Sequence, residues 1–140
     1  MKKWLSVPLA LPAVLLTACQ SAPLSYLTGN PDQPLPPHEH GIRIAAVDQQ
    51  LYFSGPVQVA PGEHAIVFEL PLPQSQVVPQ KTVTMKIAPC TRYVFVGYRE
   101  SLVKPEFEVK TKREEPVAGC SPEEEWKKAS MKTSMLQSAS

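Results

Sequence analysis

The stretch KTVTMKIAPCTRYVFVGYR, residues 81–99, decides the fold class of this chain. In residues 81–87 apolar and polar side chains alternate strictly, which is the pattern of a strand with one buried face. Pro89-Cys90-Thr91 then turns the chain, and residues 92–99 are largely apolar on both alternating faces. A strand that is apolar on both faces is expected in the middle of a sheet. The stretch therefore predicts two strands joined by a turn, the second of them central.

Similar short runs, rich in Val, Ile, Tyr and Phe, recur at intervals of about ten residues. They predict strands at residues 41–47, 51–53, 57–59, 64–70 and 106–112. Ser121, Pro122 and Glu124 form a capping-box pattern, which predicts a short helix from Pro122 to about Met135 with residues 137–140 disordered. We therefore expect an all-β domain, a small antiparallel β-sandwich of about six to seven strands with a short C-terminal helix.

The N-terminus has the pattern of a bacterial signal peptide. Met1-Lys2-Lys3 is positively charged, and residues 4–17 form an apolar run without a charged side chain. This run is shorter than the roughly 20 apolar residues that a membrane-spanning helix needs, as is typical of a signal peptide. The four residues Leu16-Thr17-Ala18-Cys19 resemble the bacterial lipobox, in which one aliphatic and two small residues precede an obligatory cysteine.

The lipobox resemblance implies a lipid anchor. Residues 1–18 would be the signal peptide, cut between Ala18 and Cys19, and Cys19 would carry a diacylglycerol on its sulfur and an acyl chain on its new amine. Three acyl chains exceed the two hydrophobic signals that stable anchoring normally takes. Gln20, where an Asp would favour inner-membrane retention in enterobacterial lipoproteins, resembles an outer-membrane address. The expected location is the cell envelope, on the outer membrane facing the periplasm; a secreted protein cut elsewhere and an uncleaved anchor are the alternatives.

Residues 19–37 predict a tether between the lipidated cysteine and the domain. The segment carries five prolines and a Gly29-Asn30 turn signal, which exclude a helix, and it shows too little apolar periodicity for a strand. In the extended polyproline form, at about 3.1 Å per residue, it would reach roughly 50 Å from the bilayer. The β domain is then expected at residues 38–120, followed by the helix and tail at residues 121–140.

The cysteine count predicts one disulfide. Of three cysteines, acylation of Cys19 leaves Cys90 and Cys120, and an envelope location is an oxidising one. Two free buried thiols are the alternative. A redox CxxC pair or a thiolate metal site is disfavoured because neither cysteine has a second one nearby.

The histidines are the only candidate metal ligands. His38 and His40 lie one residue apart and would point to the same side of an extended segment, with His64 as a third ligand for zinc or copper. A short polar turn leading into the first strand explains His38 and His40 equally well. No fourth ligand or Cys/His framework accompanies them.

The predicted strands resemble a PEGA-type domain. The resemblance covers residues 42–96 and rests on an opening strand, on the Pro61-Gly62 turn before the strand that follows, and on a later strand, turn and Tyr-containing strand. It implies a small β-sandwich similar to transthyretin-like and carboxypeptidase-regulatory modules. The layout also resembles small uncharacterised proteobacterial lipoproteins, which imply no catalytic residues. The proline-rich insertion after Leu70, the added strand and the disulfide depart from the PEGA pattern.

Composition and motifs disfavour an enzyme or a nucleic-acid binder. Without Lys2 and Lys3, 12 of the 14 basic residues remain against 13 acidic ones, a formal charge of −1 that offers no strong field to nucleic acid. The chain lacks Gly-x-Ser-x-Gly, His-Glu-x-x-His and a phosphate-cradling glycine loop.

We therefore expect a non-catalytic, lipid-anchored module without a cofactor other than its acyl chains. It would bind a protein or cell-wall partner through sheet edges, loops or the tail helix, with residues 51–53 and Trp126 as candidate contacts. A metal or small-ligand binder using His38, His40 and His64, and an inhibitor or secretion-system accessory, are the alternatives.

Overall fold

The computed structural model describes residues 23–29, 32–73 and 75–139. In this part of the chain nine strands form two sheets, and one helix follows them. The strands are β1 Ser25–Thr28, β2 Glu39–His40, β3 Arg43–Val47, β4 Gln50–Leu51, β5 Val57–Val59, β6 Gly62–Glu69, β7 Gln80–Ile87, β8 Thr91–Tyr98 and β9 Glu108–Pro116, and the helix is α1 Pro122–Ser138. The predicted all-β class with a C-terminal helix is confirmed.

Strand β8 is the centre of the first sheet, as its sequence predicts. It pairs along its whole length with β9 on one side, and with β1 and β2 on the other, and β1 in turn pairs with β5. The second sheet has the order β4-β3-β6-β7. Strands β7 and β8 belong to different sheets, so the turn at residues 88–90 carries the chain from one layer to the other. One pair, β1 with β8, is parallel, whereas the sequence predicts only antiparallel pairs.

The core lies between the two sheets. Ile66, Phe68 and Leu70 on β6 and just after it are completely buried, as the alternation in residues 64–70 predicts. Phe68 meets Phe95 of the opposite sheet edge-on, with ring centroids 5.0 Å apart. The Tyr93 ring is stacked parallel to that of Phe95 at 6.0 Å. Aromatic pairs of this kind add to the free energy gained from burying their area.

Strand β1 shows that one sequence prediction is wrong. Residues 19–37 are predicted to hold no strand, yet Ser25–Thr28 lies in the interior of the first sheet, and the Leu27 side chain is 0% exposed. Four residues with one core side chain are too short to display a period, because hydrogen bonds to β5 and β8 on both sides hold this strand in place. The proline-rich residues 32–37 connect β1 to β2.

The helix begins at Pro122 as predicted, but its N-terminal cap and its C-terminal end differ from the prediction. Ser121 is the N-cap, but its side chain makes no capping hydrogen bond, so the predicted capping box is wrong. Helix α1 continues to Ser138, and residues 137 and 138, predicted as disordered, are helical. Within the described residues, no helix combines the length and apolar character needed to cross a bilayer.

Candidate functional site

One end of the sandwich is closed by the disulfide, and the other is formed by two long loops. At one end, which we call the disulfide end, lie Pro23 to Ser25, Cys90-Thr91 and residues 116–121. At the other, the loop end, residues 70–79 join β6 to β7 and residues 99–107 join β8 to β9. Strand β8 runs from the first end to the second, about 26 Å for its eight residues.

The predicted disulfide is confirmed and closes the disulfide end. Cys90 and Cys120 are bonded, with their Cα atoms 5.5 Å apart, and Cys90 is only 4% exposed. The Val117 amide donates to the Cys90 carbonyl at 2.8 Å. Ser25 joins this end to the start of the chain, because its Oγ donates to the Ala88 carbonyl and accepts from the Thr91 amide at 3.0 Å.

The proposed cleavage and lipidation residues, Ala18 and Cys19, lie outside the described residues. Pro23, only four positions after Cys19, is fully buried in the domain. Four extended residues span at most about 14 Å. If Cys19 is acylated, the disulfide end therefore lies close to the bilayer, and the 50 Å reach predicted for a tether of residues 19–37 is wrong.

The three histidines are not assembled into the predicted ligand set. His38 Nδ1 donates to the Arg99 carbonyl at 3.0 Å, and His40 is on β2 of the first sheet. His64 is on β6 of the second sheet, where both of its ring nitrogens are hydrogen-bonded. Among the described residues, no group of three His, Cys, Asp or Glu side chains is placed to hold a metal ion.

His64 instead ties two turns together as a cation. Its Nδ1 donates to Asp48 Oδ2 at 2.5 Å and its Nε2 to the Ala60 carbonyl at 2.7 Å, which needs both nitrogens protonated. Asp48 begins the two-residue turn between β3 and β4, with positive φ at Asp48 and Gln49, and its Oδ1 accepts from the Ala65 amide at 2.9 Å. The hydrogen bond to Asp48 raises the pKa of His64, and the same bond lowers the pKa of Asp48.

These pKa shifts predict that the His64 contribution to stability depends on pH. Because folding raises the pKa of His64, protonated His64 stabilises the fold. This contribution is fully present below pH 6.5, the pKa in the unfolded chain, and is lost as the pH rises through the pKa of His64 in the folded protein. The lowered Asp48 pKa makes its own contribution disappear as the pH falls below 3.8. Urea unfolding at pH 5.5 and 8 should therefore show a larger loss of stability on raising the pH for the wild type than for His64→Gln.

The comparison with His64→Gln is needed because His40 acts in the opposite sense. Burial, with the charges of Arg99 and His38, lowers the pKa of His40, so protonation of His40 below pH 6.5 destabilises the fold. His40→Gln serves as the matched variant, since it should leave the His64 slope in place. If the free energy of unfolding changed equally with pH in the wild type and in His64→Gln, the ion pair between His64 and Asp48 would be contradicted.

The loop after β8 is organised by a buried cation. Arg99 is 6% exposed, and its Nη2 donates to the carbonyls of Leu102 and Lys104 at 2.8 and 2.6 Å. Its backbone amide donates to the His38 carbonyl at 2.8 Å. The loop is thus folded around the guanidinium, yet its apex carries Leu102 at 65% and Val103 at 93% exposure. Single exposed aliphatic side chains are common on protein surfaces, whereas a contiguous exposed apolar patch is typical of a binding surface.

The loop between β6 and β7, at the same end of the sandwich, presents a second pair of exposed aliphatic side chains. Val77 is 75% and Val78 42% exposed, and Ser75 Oγ donates to the Val77 carbonyl at 2.7 Å. Val77 and Pro105 line the same cleft, of about 440 Å³, and Lys81 Nζ bridges to the Phe107 carbonyl at 3.3 Å. We call the four exposed side chains Val77, Val78, Leu102 and Val103 the apolar tip.

Charged side chains line a cleft that shares Lys81, Glu106 and Phe107 with the cleft of Val77 and Pro105. Glu100, Glu106 and Glu108 line this cleft together with Lys81 and Tyr98. On the ring of Tyr98 lies Lys110 Nζ, 3.5 Å from the centroid. Both signs of charge are present in this cleft, so the loop end combines exposed aliphatic side chains with a mixed polar surface.

The contact residues predicted from sequence are exposed but lie elsewhere. Leu51 and Phe53 are 67% and 79% exposed, beside β4, and Trp126 is 44% exposed on α1. The apolar tip was missed because loops with isolated Val and Leu give no periodic signal. An arginine that ends an apolar strand, as Arg99 does, is the one sequence feature that could have indicated an organised loop.

Comparison of the chain with family models, curated proteins and solved structures yields no match. The resemblances to the lipobox and to PEGA-type domains therefore stay predictions.

Proposed function

We propose that this protein is a lipid-anchored, non-catalytic component of the bacterial cell envelope that binds a protein partner through the loop end of its β-sandwich. The observation that carries the proposal is the apolar tip, which is held in shape by Arg99 and exposed at the end opposite the start of the domain. Cys19, acylated after removal of residues 1–18, would hold the disulfide end at the membrane.

The loop that carries Leu102 and Val103 is held in one conformation by Arg99, which supports a role in binding. A buried guanidinium carries a desolvation cost of several kcal/mol, which the hydrogen bonds from Arg99 Nη2 to the Leu102 and Lys104 carbonyls offset in part, because Arg99 Nε has no partner among the described residues. A loop that is already ordered loses less conformational entropy on association. The buried Arg99 side chain thus holds the loop in the conformation that exposes Leu102 and Val103.

Several of the groups that could carry chemistry are engaged in structural contacts, which supports a non-catalytic role; His40 Nε2, which is buried without a hydrogen-bond partner among the described residues, is an exception. The sulfur atoms of Cys90 and Cys120 are in a disulfide, and both ring nitrogens of His64 donate to fixed acceptors. A general base needs a free nitrogen or carboxylate within reach of a proton.

Site-specific photocrosslinking in cells tests the proposal. A photoreactive residue at Val103 should give a defined adduct, whereas one at Thr84, exposed on the second sheet, should give none. Arg99→Met should reduce the Val103 adduct several-fold because the loop loses its order, with circular dichroism confirming that the sheets remain. In the same cells Cys19→Ser should abolish acyl labelling and move the protein out of the membrane fraction.

Two results would contradict this function. Adducts of equal yield from Val103 and Thr84 would mean that the apolar tip is not a specific binding surface. Retention of the Cys19→Ser protein in membranes without acyl label would mean that the lipid anchor is wrong.

A further inference from the structure

Two buried nitrogens without a hydrogen-bond partner lie near the end of β8. Among the described residues, Arg99 Nε and His40 Nε2 are the buried side-chain atoms of this kind. Arg99 directly follows β8, and His40 is on β2, which pairs with β8. Buried polar atoms are almost always hydrogen-bonded, and an unpartnered one costs free energy. These two atoms therefore raise the free energy of the folded state at the place where the loop of the apolar tip begins.

Both side chains belong to the face of the first sheet that looks into the core. His40 is directly opposite Gly97 in the register of β2 and β8. Gly97 faces the core, since a Cβ there would lie 2.6 Å from Ile42 Cγ2. Arg99 continues the pairing, because its amide donates to the His38 carbonyl at 2.8 Å. Opposite residues share a face, as do residues two apart on a strand, so His40 and Arg99 are on the same side of the sheet.

A chain of hydrogen bonds joins this pair to the apolar tip. His38 and Arg99 are bonded twice, since the Arg99 amide donates to the His38 carbonyl and His38 Nδ1 donates to the Arg99 carbonyl at 3.0 Å. Arg99 Nη2 in turn donates to the carbonyls of Leu102 and Lys104. One arginine thus links β2 to the loop, and displacement of its guanidinium would release the segment that exposes Val103.

Protonation of His40 is the change that would act on Arg99. A neutral imidazole has one ring nitrogen without a proton, whereas the protonated ring carries an N–H on both. Protonated His40 would therefore have a buried Nε2 donor with no acceptor, close to a cation that is itself buried. Burial lowers the pKa of His40, and so do the charges of Arg99 and His38. His40 therefore takes its charge only at acid pH, below 6.5.

Charged side chains on the surrounding strands have other partners. These are Glu39 with Lys112, Lys110 with Tyr98, Glu69 with Arg43, and Lys81 with the Phe107 carbonyl. Glu100, Glu106 and Glu108 line a cleft to which neither His40 nor Arg99 contributes. The charges that act on His40 are both positive, those of Arg99 and His38. In the part of the chain that the structure describes, a proton on His40 therefore has no carboxylate to pair with.

We propose that His40 and Arg99 form an acid-sensitive switch, in which protonation of His40 displaces the Arg99 guanidinium and releases the loop that carries Leu102 and Val103. The effect is local, because the ion pair between His64 and Asp48 persists when the pH falls through the same range. Acid would therefore weaken binding of a partner at the apolar tip. This consequence rests on the proposed function, whereas the loop transition does not.

Nuclear magnetic resonance of the processed chain, purified in detergent, tests the switch. Between pH 8 and 5 the ring signals of His40 should titrate with a midpoint below pH 6.5, and the amide signals of Leu102 and Val103 should shift and broaden with the same midpoint. In His40→Gln the loop signals should stay as they are at pH 8. His64→Gln is the matched control, because it removes a histidine from another turn and should leave the loop transition in place.

Photocrosslinking in isolated membranes separates the switch from the proposed function. With a photoreactive residue at Val103, the adduct yield should fall several-fold from pH 8 to pH 5.5, and in His40→Gln it should stay constant. Loop signals that do not change with pH, or that change equally in His40→Gln, would overturn the switch and leave the binding surface standing. A loop transition that follows His40 without any Val103 adduct at pH 8 would support the switch and overturn the proposed function.

Discussion

Leu27→Ala should lower the free energy of unfolding by about 2–5 kcal/mol, the usual range for a buried leucine whose cavity cannot collapse. The Leu27 side chain is 0% exposed in the core, and hydrogen bonds to β5 and β8 hold its strand on both sides. Neighbouring strands fixed in this way cannot close the cavity. Urea unfolding of the wild type and the variant measures the difference.

Tyr26→Ala is the matched control, because Tyr26 is on the same strand but half-buried, hydrogen-bonded to Gln58 at 3.2 Å rather than packed in the core. We expect Tyr26→Ala to lower the free energy of unfolding clearly less than Leu27→Ala does.

A chain that starts at residue 38, where the sequence predicts the domain to begin, should not fold at all. Cooperative unfolding of that shortened chain would contradict the role of β1.

Removal of the disulfide in the double variant Cys90→Ser with Cys120→Ser should cost about 3–4 kcal/mol, because the bond closes a loop of 30 residues. The loss arises mainly in the unfolded chain, which gains freedom when the loop opens. Denaturant midpoints of the oxidised protein and the double variant give the difference.

Reduction of the wild type with dithiothreitol controls for the serine substitutions. It should lower the midpoint by a similar amount and should have no effect on the double variant. A reduced wild type as stable as the oxidised one would show that the loop is already held by β8 and β9 without the bond.

The regular strands could be predicted because their sequences alternate over many residues. Strands β6, β7 and β8 have eight residues each, and β8 is central as its two apolar faces indicate. Strands β1 and β2 have four and two residues, and they are held by hydrogen bonds to distant strands, β1 by β5 and β8 and β2 by β8. Their formation is decided by distant residues, so no local pattern could reveal them.

The candidate site was less predictable than the fold. The disulfide follows from counting cysteines, whereas the apolar tip depends on two loops that meet only in the folded chain. The alternative metal site included His64 as a third ligand, but the turn at Asp48 brings a carboxylate to one ring nitrogen and Ala60 supplies a carbonyl to the other. A histidine in a sequence does not tell which acceptors the fold will place around it.

The position of β1 also sets the order in which this domain can form during synthesis. Strand β1 is made first, yet its partner β5 begins at Val57 and its partner β8 at Thr91. The hydrogen bond between Ser25 and Thr91 joins residues 66 positions apart. Most of the chain must therefore be present before the first sheet can close, and until then Leu27 and the rest of β1 remain exposed to chaperones and proteases.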